Sequence, residues 1–143
     1  MLIAAALMWG LHRWLPLFVW IAPPWNRLGV LPAALGIAVA AAAIIRFRQA
    51  HTTTDPLDPG KASRLVTDGV FSVSRNPMYL GLTLLLLGWA IWVGSVSPWI
   101  IPPLFVLYIT LVQIIPEEQA LSRLFGEQYL ASRGRVARWI GRR

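Results

Sequence analysis

The sequence predicts an all-α integral membrane bundle of about four transmembrane helices, and three observations carry that expectation. Hydrophobic residues make up 57% of the 143 residues and charged residues only 13%, with a mean hydropathy of +0.59. Soluble domains hold about 45–50% apolar and about 25% charged residues. Four long apolar stretches follow one another along the chain, and most cations gather between or after them. The length points to a single domain over residues 1–143.

The first stretch, Leu2–Ala22, is interrupted by His12, Arg13 and Pro16. It lacks a basic leading region and a small-x-small cleavage motif before Pro23-Pro24, so it reads as a retained helix rather than a signal peptide. Leu28–Ile45 is uncharged and rich in alanine, Met78–Val96 is uncharged, and Trp99–Ile115 carries Gln113 as its one strongly polar residue. A hydrocarbon core of ~30 Å takes about 20 residues at 1.5 Å each. The shorter stretches therefore predict a thin or tilted bundle. Pro102-Pro103 is expected to start or kink the fourth helix.

Charge sets the orientation. Of thirteen Lys and Arg residues, Arg46, Arg48, Lys61, Arg64 and Arg75 lie between the second and third stretches, and Arg123, Arg133, Arg135, Arg138, Arg142 and Arg143 follow the fourth. The positive-inside rule makes that side cytoplasmic and puts both termini there, as in an inner membrane of bacterial or archaeal type. All six acids, Asp55, Asp58, Asp68, Glu117, Glu118 and Glu127, fall on the same side. The polar chemistry is expected there.

The composition also excludes function classes. With no cysteine, a disulfide framework, an iron–sulfur cluster, a thiolate zinc site and a cysteine nucleophile are ruled out. Two histidines, His12 and His51, are too few for a histidine-rich metal site. The net charge of +7 does not make a nucleic-acid module of so apolar a chain. The C-terminal arginines, with Trp139 and Ile140, are expected to adhere to anionic lipid headgroups. His12 and Arg13 have two readings, a polar entry path for substrate or an arginine that snorkels to the interface.

Two segments concentrate chemistry. Residues 51–75 begin as an irregular loop, with Asp55-Pro56, Asp58-Pro59 and Gly60. They end in Asp68-Gly69 and Arg75, and Asn76 and Pro77 follow just before an uncharged helix. Asn76 before Pro77 predicts an N-cap with proline in the first turn. Such a start is either an anion site at the membrane surface or an ordinary capped helix with Arg75 reaching lipid phosphate. The second segment, Pro116–Ser132, predicts an amphipathic helix whose Ala120, Leu121, Leu124 and Phe125 share a face. Glu117 and Glu118 are either partners of its N-terminal dipole or a grip on a cationic or hydroxyl-bearing ligand.

The run Leu65-Val66-Thr67-Asp68-Gly69-Val70-Phe71, then Arg75-Asn76-Pro77-Met78-Tyr79-Leu80-Gly81, resembles the isoprenylcysteine carboxyl methyltransferase and phospholipid methyltransferase-like family of integral membrane enzymes. Glu117-Glu118-Gln119-Ala120-Leu121, Phe125-Gly126-Glu127-Gln128-Tyr129 and Arg135-Val136-Ala137-Arg138-Trp139 are similar to its second signature. Together they cover about residues 46–140, the expected cofactor-binding subdomain. The resemblance implies methyl transfer from S-adenosyl-L-methionine to a lipophilic or membrane-partitioned small acceptor. A nicotinamide-dependent reductase of the sterol reductase-like architecture, or a non-catalytic membrane scaffold, are the alternatives.

The resemblance also implies site residues. Ser63, Leu65, Val66, Phe71, Asn76, Pro77, Met78, Tyr79 and Glu117 are expected around the cofactor. Arg75 and Glu118 are the candidates for the reacting centre. His51 matches a family histidine only if the loop aligns. Carboxyl-methylating members carry an arginine where this chain has Gln113, so Gln113 is the expected substrate contact. A buried carboxylate acceptor would lack its counter-charge there, and amines, thiols and hydroxyls are favoured. No metal is expected. The oligomeric state is not legible.

Overall fold

The computed structural model describes residues 1–50 and 64–142, and it is all-helical, with no strand among them. In chain order the helices are α1 (Leu2–Trp14), α2 (Val30–Gln49), α3 (Pro77–Val93), α4 (Ile101–Ile109), α5 (Ile115–Phe125) and α6 (Glu127–Arg135). Short 3₁₀ turns over Trp25–Gly29 and Ser97–Ile100 lead into α2 and α4. A π turn over Thr110–Ile114 joins α4 to α5.

With these turns included, Trp25–Gln49 runs 25 helical residues and Ser97–Phe125 runs 29, both long and apolar enough to cross a membrane. The third apolar helix, α3, has 17 residues, and α1 has 13. Two of the four expected spans thus fall on helices of sufficient length. The first stretch leaves the helix at Trp14 because Pro16 disfavours helical backbone in the residue before it. Large apolar side chains such as Leu31, Leu35, Ile37, Leu104 and Leu107 stay exposed, which suits helices whose solvent is lipid.

The chain divides into two compact units. Unit 1 comprises Met1–Ala38 and Gly81–Tyr108. Its core is Met8, Leu86 and Ala90, with Trp89, Trp99 and Phe105 packed against it. Glycines let α2 and α3 approach closely. A Cβ at Gly36 would lie 2.5 Å from the Gly81 carbonyl, and one at Gly88 would lie 2.5 Å from that of Gly29. Seven residues separate the glycines on each helical run of this antiparallel pair, so the same face recurs every two turns, as in membrane helix pairs built on small residues.

The segment after α1 bridges Val19 to Ser95, and His12 Nδ1 lies 2.9 Å from Ser95 Oγ. His12 thus ties α1 to the turn after α3.

Unit 2 comprises Val39–Leu80 and Ile109–Arg143. The helix expected over Pro116–Ser132 is not one element. It continues α4 through the π turn and breaks at Gly126, where φ is +50°. After α6 the chain closes a tight turn, with Val136 bridged to Arg142 and the Ala137 N–H donating to the Gly141 carbonyl at 2.8 Å. Two further backbone bonds, Gly141 N–H to the Val73 carbonyl and Arg75 N–H to the Ala137 carbonyl, lace this turn to residues 73–75.

Candidate functional site

Two side chains of unit 2 converge on Glu117. The Tyr79 hydroxyl donates to its Oε1 at 2.6 Å and Gln113 Nε2 donates to the same oxygen at 2.9 Å. Gln113 and Glu117 stand four residues apart, the spacing that brings helical side chains together. The intervening Pro116 has no N–H to offer the Val112 carbonyl. The π turn is formed just before it, with the Ile115 N–H on the Thr110 carbonyl. Such turns are frequent at functional sites. Oε2 of Glu117 receives no donor among the described residues, so a half-buried carboxylate is held by one oxygen and presents the other.

Glu118 is engaged differently. Its Oε1 lies 2.9 Å from Arg75 Nη1 and accepts from Arg138 Nε at 3.0 Å, while Arg138 Nη2 donates to Oε2 at 2.8 Å. Arg75 also donates to the Tyr129 hydroxyl at 3.0 Å. The Arg75 and Glu118 side chains are only 7% and 11% exposed, a burial that charges tolerate when paired and hydrogen-bonded. Burial, and then the nearby Glu118 carboxylate, push the Tyr129 phenol above its ordinary pKa, so it stays protonated. The Arg75 Nε, also buried, has no partner among the described residues.

The start of α3 is sealed by the C-terminal turn. Asn76 Nδ2 donates to the Arg138 carbonyl at 3.1 Å, and the Asn76 N–H donates to Ser74 Oγ at 3.1 Å. Asn76 thus spends its amide on the C-terminal turn, while its backbone carbonyl accepts from the Leu80 N–H in the first turn of α3, and Pro77 is fully buried. Arg75 does not reach outward to lipid phosphate, and Arg138 turns inward from the expected headgroup-binding tail.

The remaining expected residues fall elsewhere in unit 2. Leu65 and Val66 line a cavity of about 260 Å³ that Arg46, Gln49, Arg64 and Asp68 also border. Arg46 pairs with Asp68 at 3.0 Å. Gly69, at φ +59°, lets that guanidinium pass, since a Cβ there would lie 2.6 Å from Arg46 Nε. Phe71 is buried and packs edge-on against Phe47, with ring centroids 4.9 Å apart. Met78 is half-buried in the first turn of α3. Ser63 and His51 lie outside the described residues.

The structure therefore brings together Tyr79, Gln113 and Glu117, and separately Arg75 and Glu118. Sequence reasoning missed the roles of Arg138 and Tyr129. Both lie inside the motifs that carry the family resemblance, but an arginine in a basic tail and a tyrosine after a glycine break have no spacing that announces a partner 20 or 54 residues away.

A 63-residue uncharacterized protein of Haemophilus influenzae is 40% identical over its whole length, which corresponds to 44% of this chain. No solved structure matches the chain. The profile of the phospholipid methyltransferase family matches residues 25–128, a range that holds Tyr79, Gln113, Glu117 and the Arg75–Glu118 pair. The chain belongs to the phospholipid methyltransferase family.

Proposed function

We propose that the protein is an S-adenosylmethionine-dependent methyltransferase acting on a lipophilic or membrane-partitioned amine, thiol or hydroxyl acceptor. The observation that carries the reading is the Glu117 carboxylate, oriented through Oε1 by Tyr79 and Gln113 with Oε2 left to a ligand. That arrangement suits a cofactor with an α-ammonium and a sulfonium, both cations that a carboxylate oxygen attracts. S-adenosylmethionine supplies the electrophilic methyl group when bound. The chain then has to bind, orient and exclude water, and alignment alone contributes several kcal/mol to such a displacement.

The residues divide that work. Glu117 binds, and Tyr79 and Gln113 hold its orientation. Arg75 and Glu118 act by position: three guanidinium contacts occupy Glu118, so it shapes the wall of the site rather than taking a proton. Leu65 and Val66 offer cavity lining to the rest of the cofactor. The cation distribution supports a cytoplasmic cofactor site with the acceptor arriving from the bilayer.

The test is methyl transfer from labelled S-adenosylmethionine, by the full chain in detergent, to a panel of lipophilic amines, thiols and phenols and to membrane lipids. Labelled product from one acceptor class is expected. Absence of transfer together with binding of NADPH would move the protein to the reductase reading. Gln113→Arg is expected to weaken cofactor binding, because its guanidinium would take the Glu117 carboxylate. A change confined to acceptor preference would place Gln113 against the acceptor instead.

A further inference from the structure

The C-terminal turn divides its arginines. Arg138 goes to Glu118, whereas Arg135 and Arg142, set near each other by the Val136–Arg142 bridge, line a cavity of about 370 Å³ with Thr67, Ser72, Ser132 and Val136. None of these six residues is acidic. Arg135 spends its Nε on the Ala131 carbonyl at 3.3 Å. Its two Nη groups have no partner among the described residues, and Arg142 forms no ion pair among them.

Ser132 supplies an independent observation. It is only 7% exposed, and its hydroxyl makes no hydrogen bond among the described residues. Ser122, by contrast, donates to the Glu118 carbonyl at 2.7 Å, the usual outlet for a serine inside a helix. Ser132 borders the cavity, so its unpaired hydroxyl is available to a ligand there. The Thr67 hydroxyl on the lining is likewise uncommitted among the described residues. Two forks of N–H donors and two hydroxyls call for one ligand with several acceptor oxygens and negative charge. A tetrahedral phosphate meets that demand better than a planar carboxylate, whose two oxygens would leave donors unpaired.

We infer that this cavity binds a phosphate group, carried either by a lipid headgroup or by a soluble phosphate. The inference does not depend on methyl transfer. It is tested on the full-length protein by calorimetric titration with inorganic phosphate, first in maltoside micelles, which contain no phosphate. Wild type is expected to bind. Arg135→Gln and Arg142→Gln are each expected to weaken binding by at least about tenfold, the loss of one charge-assisted hydrogen bond. Ser132→Ala is expected to weaken it less, and Arg123→Gln, outside the cavity, not at all.

Circular dichroism and gel filtration check that the variants remain folded. Repeating the titration in phosphatidylglycerol nanodiscs identifies the source. Loss of phosphate binding there assigns the cavity to lipid headgroups, and retained binding assigns it to soluble phosphate. No binding by folded wild type in micelles, or binding by Arg135→Gln and Arg142→Gln equal to wild type, would overturn the inference.

Discussion

In unit 1, α2 and α3 are held by the absence of side chains: Gly29 faces Gly88 and Gly36 faces Gly81. In unit 2, the start of α3, the start of α5 and the C-terminal turn are held by charge, through Arg75, Glu118 and Arg138. The first kind of contact needs only close backbone approach. It is general to membrane helices and carries no chemistry. The second fixes particular atoms, because each buried charge must find its counter-charge. The contrast separates a scaffold from a site within one short chain, and it can be broken by substitution.

The largest effect is expected in the charged unit. Glu118→Ala leaves the buried Arg75 without its carboxylate and is expected to cost about 3–5 kcal/mol, the range for removing one partner of a buried pair. Glu118→Gln, which keeps the shape and some hydrogen bonds, is expected to cost less. Thermal unfolding in detergent measures both. An unchanged midpoint for Glu118→Ala would show that this network does not hold unit 2.

The glycine contacts come next. In Gly88→Ala the added carbon would lie 2.5 Å from the Gly29 carbonyl and 2.8 Å from the Ala33 Cβ. Overpacking of that kind costs about 1–3 kcal/mol. The same substitution at Gly134 in α6 meets nothing within 4 Å and is expected to stabilise by about 0.5–1 kcal/mol, since alanine restricts the unfolded chain and favours helix. Opposite signs in one unfolding assay would sharpen the comparison, and equal signs would remove it. The smallest effect belongs to Asp68→Ala. Its ion pair with Arg46 is exposed, with side chains 67% and 43% accessible, and such pairs contribute about 0–1 kcal/mol.

Legibility in the sequence followed the same division. Uninterrupted apolar runs made α2 and α3 readable to within a few residues, because lipid-facing helices need no periodicity to be recognised. The first stretch was harder. Composition alone did not reveal that the helix stops at Trp14, although Pro16 marks the place. The Glu117-Glu118 pair drew attention as a pair, yet consecutive helical residues face different directions. One ends beside Tyr79 and Gln113, the other between two arginines.

The glycine spacing, seven residues on each helix, was present in the sequence and went unread. The use of Arg138 was not readable at all, because it depends on a turn that folds back to residues 73–75. Asn76 shows the limit of local rules: its sequence neighbours predict a cap, and its amide bonds the Arg138 carbonyl.

The central claim is that Glu117 offers a carboxylate oxygen to S-adenosylmethionine. Calorimetric titration of the detergent-purified chain with S-adenosylhomocysteine, wild type against Glu117→Gln, tests it most directly. This demethylated form of the cofactor retains the α-ammonium. Wild type is expected to bind, and Glu117→Gln to bind at least about tenfold more weakly, the equivalent of one charge-assisted hydrogen bond, while remaining folded. Equal affinity in the two proteins, or no binding by folded wild type, would contradict the account.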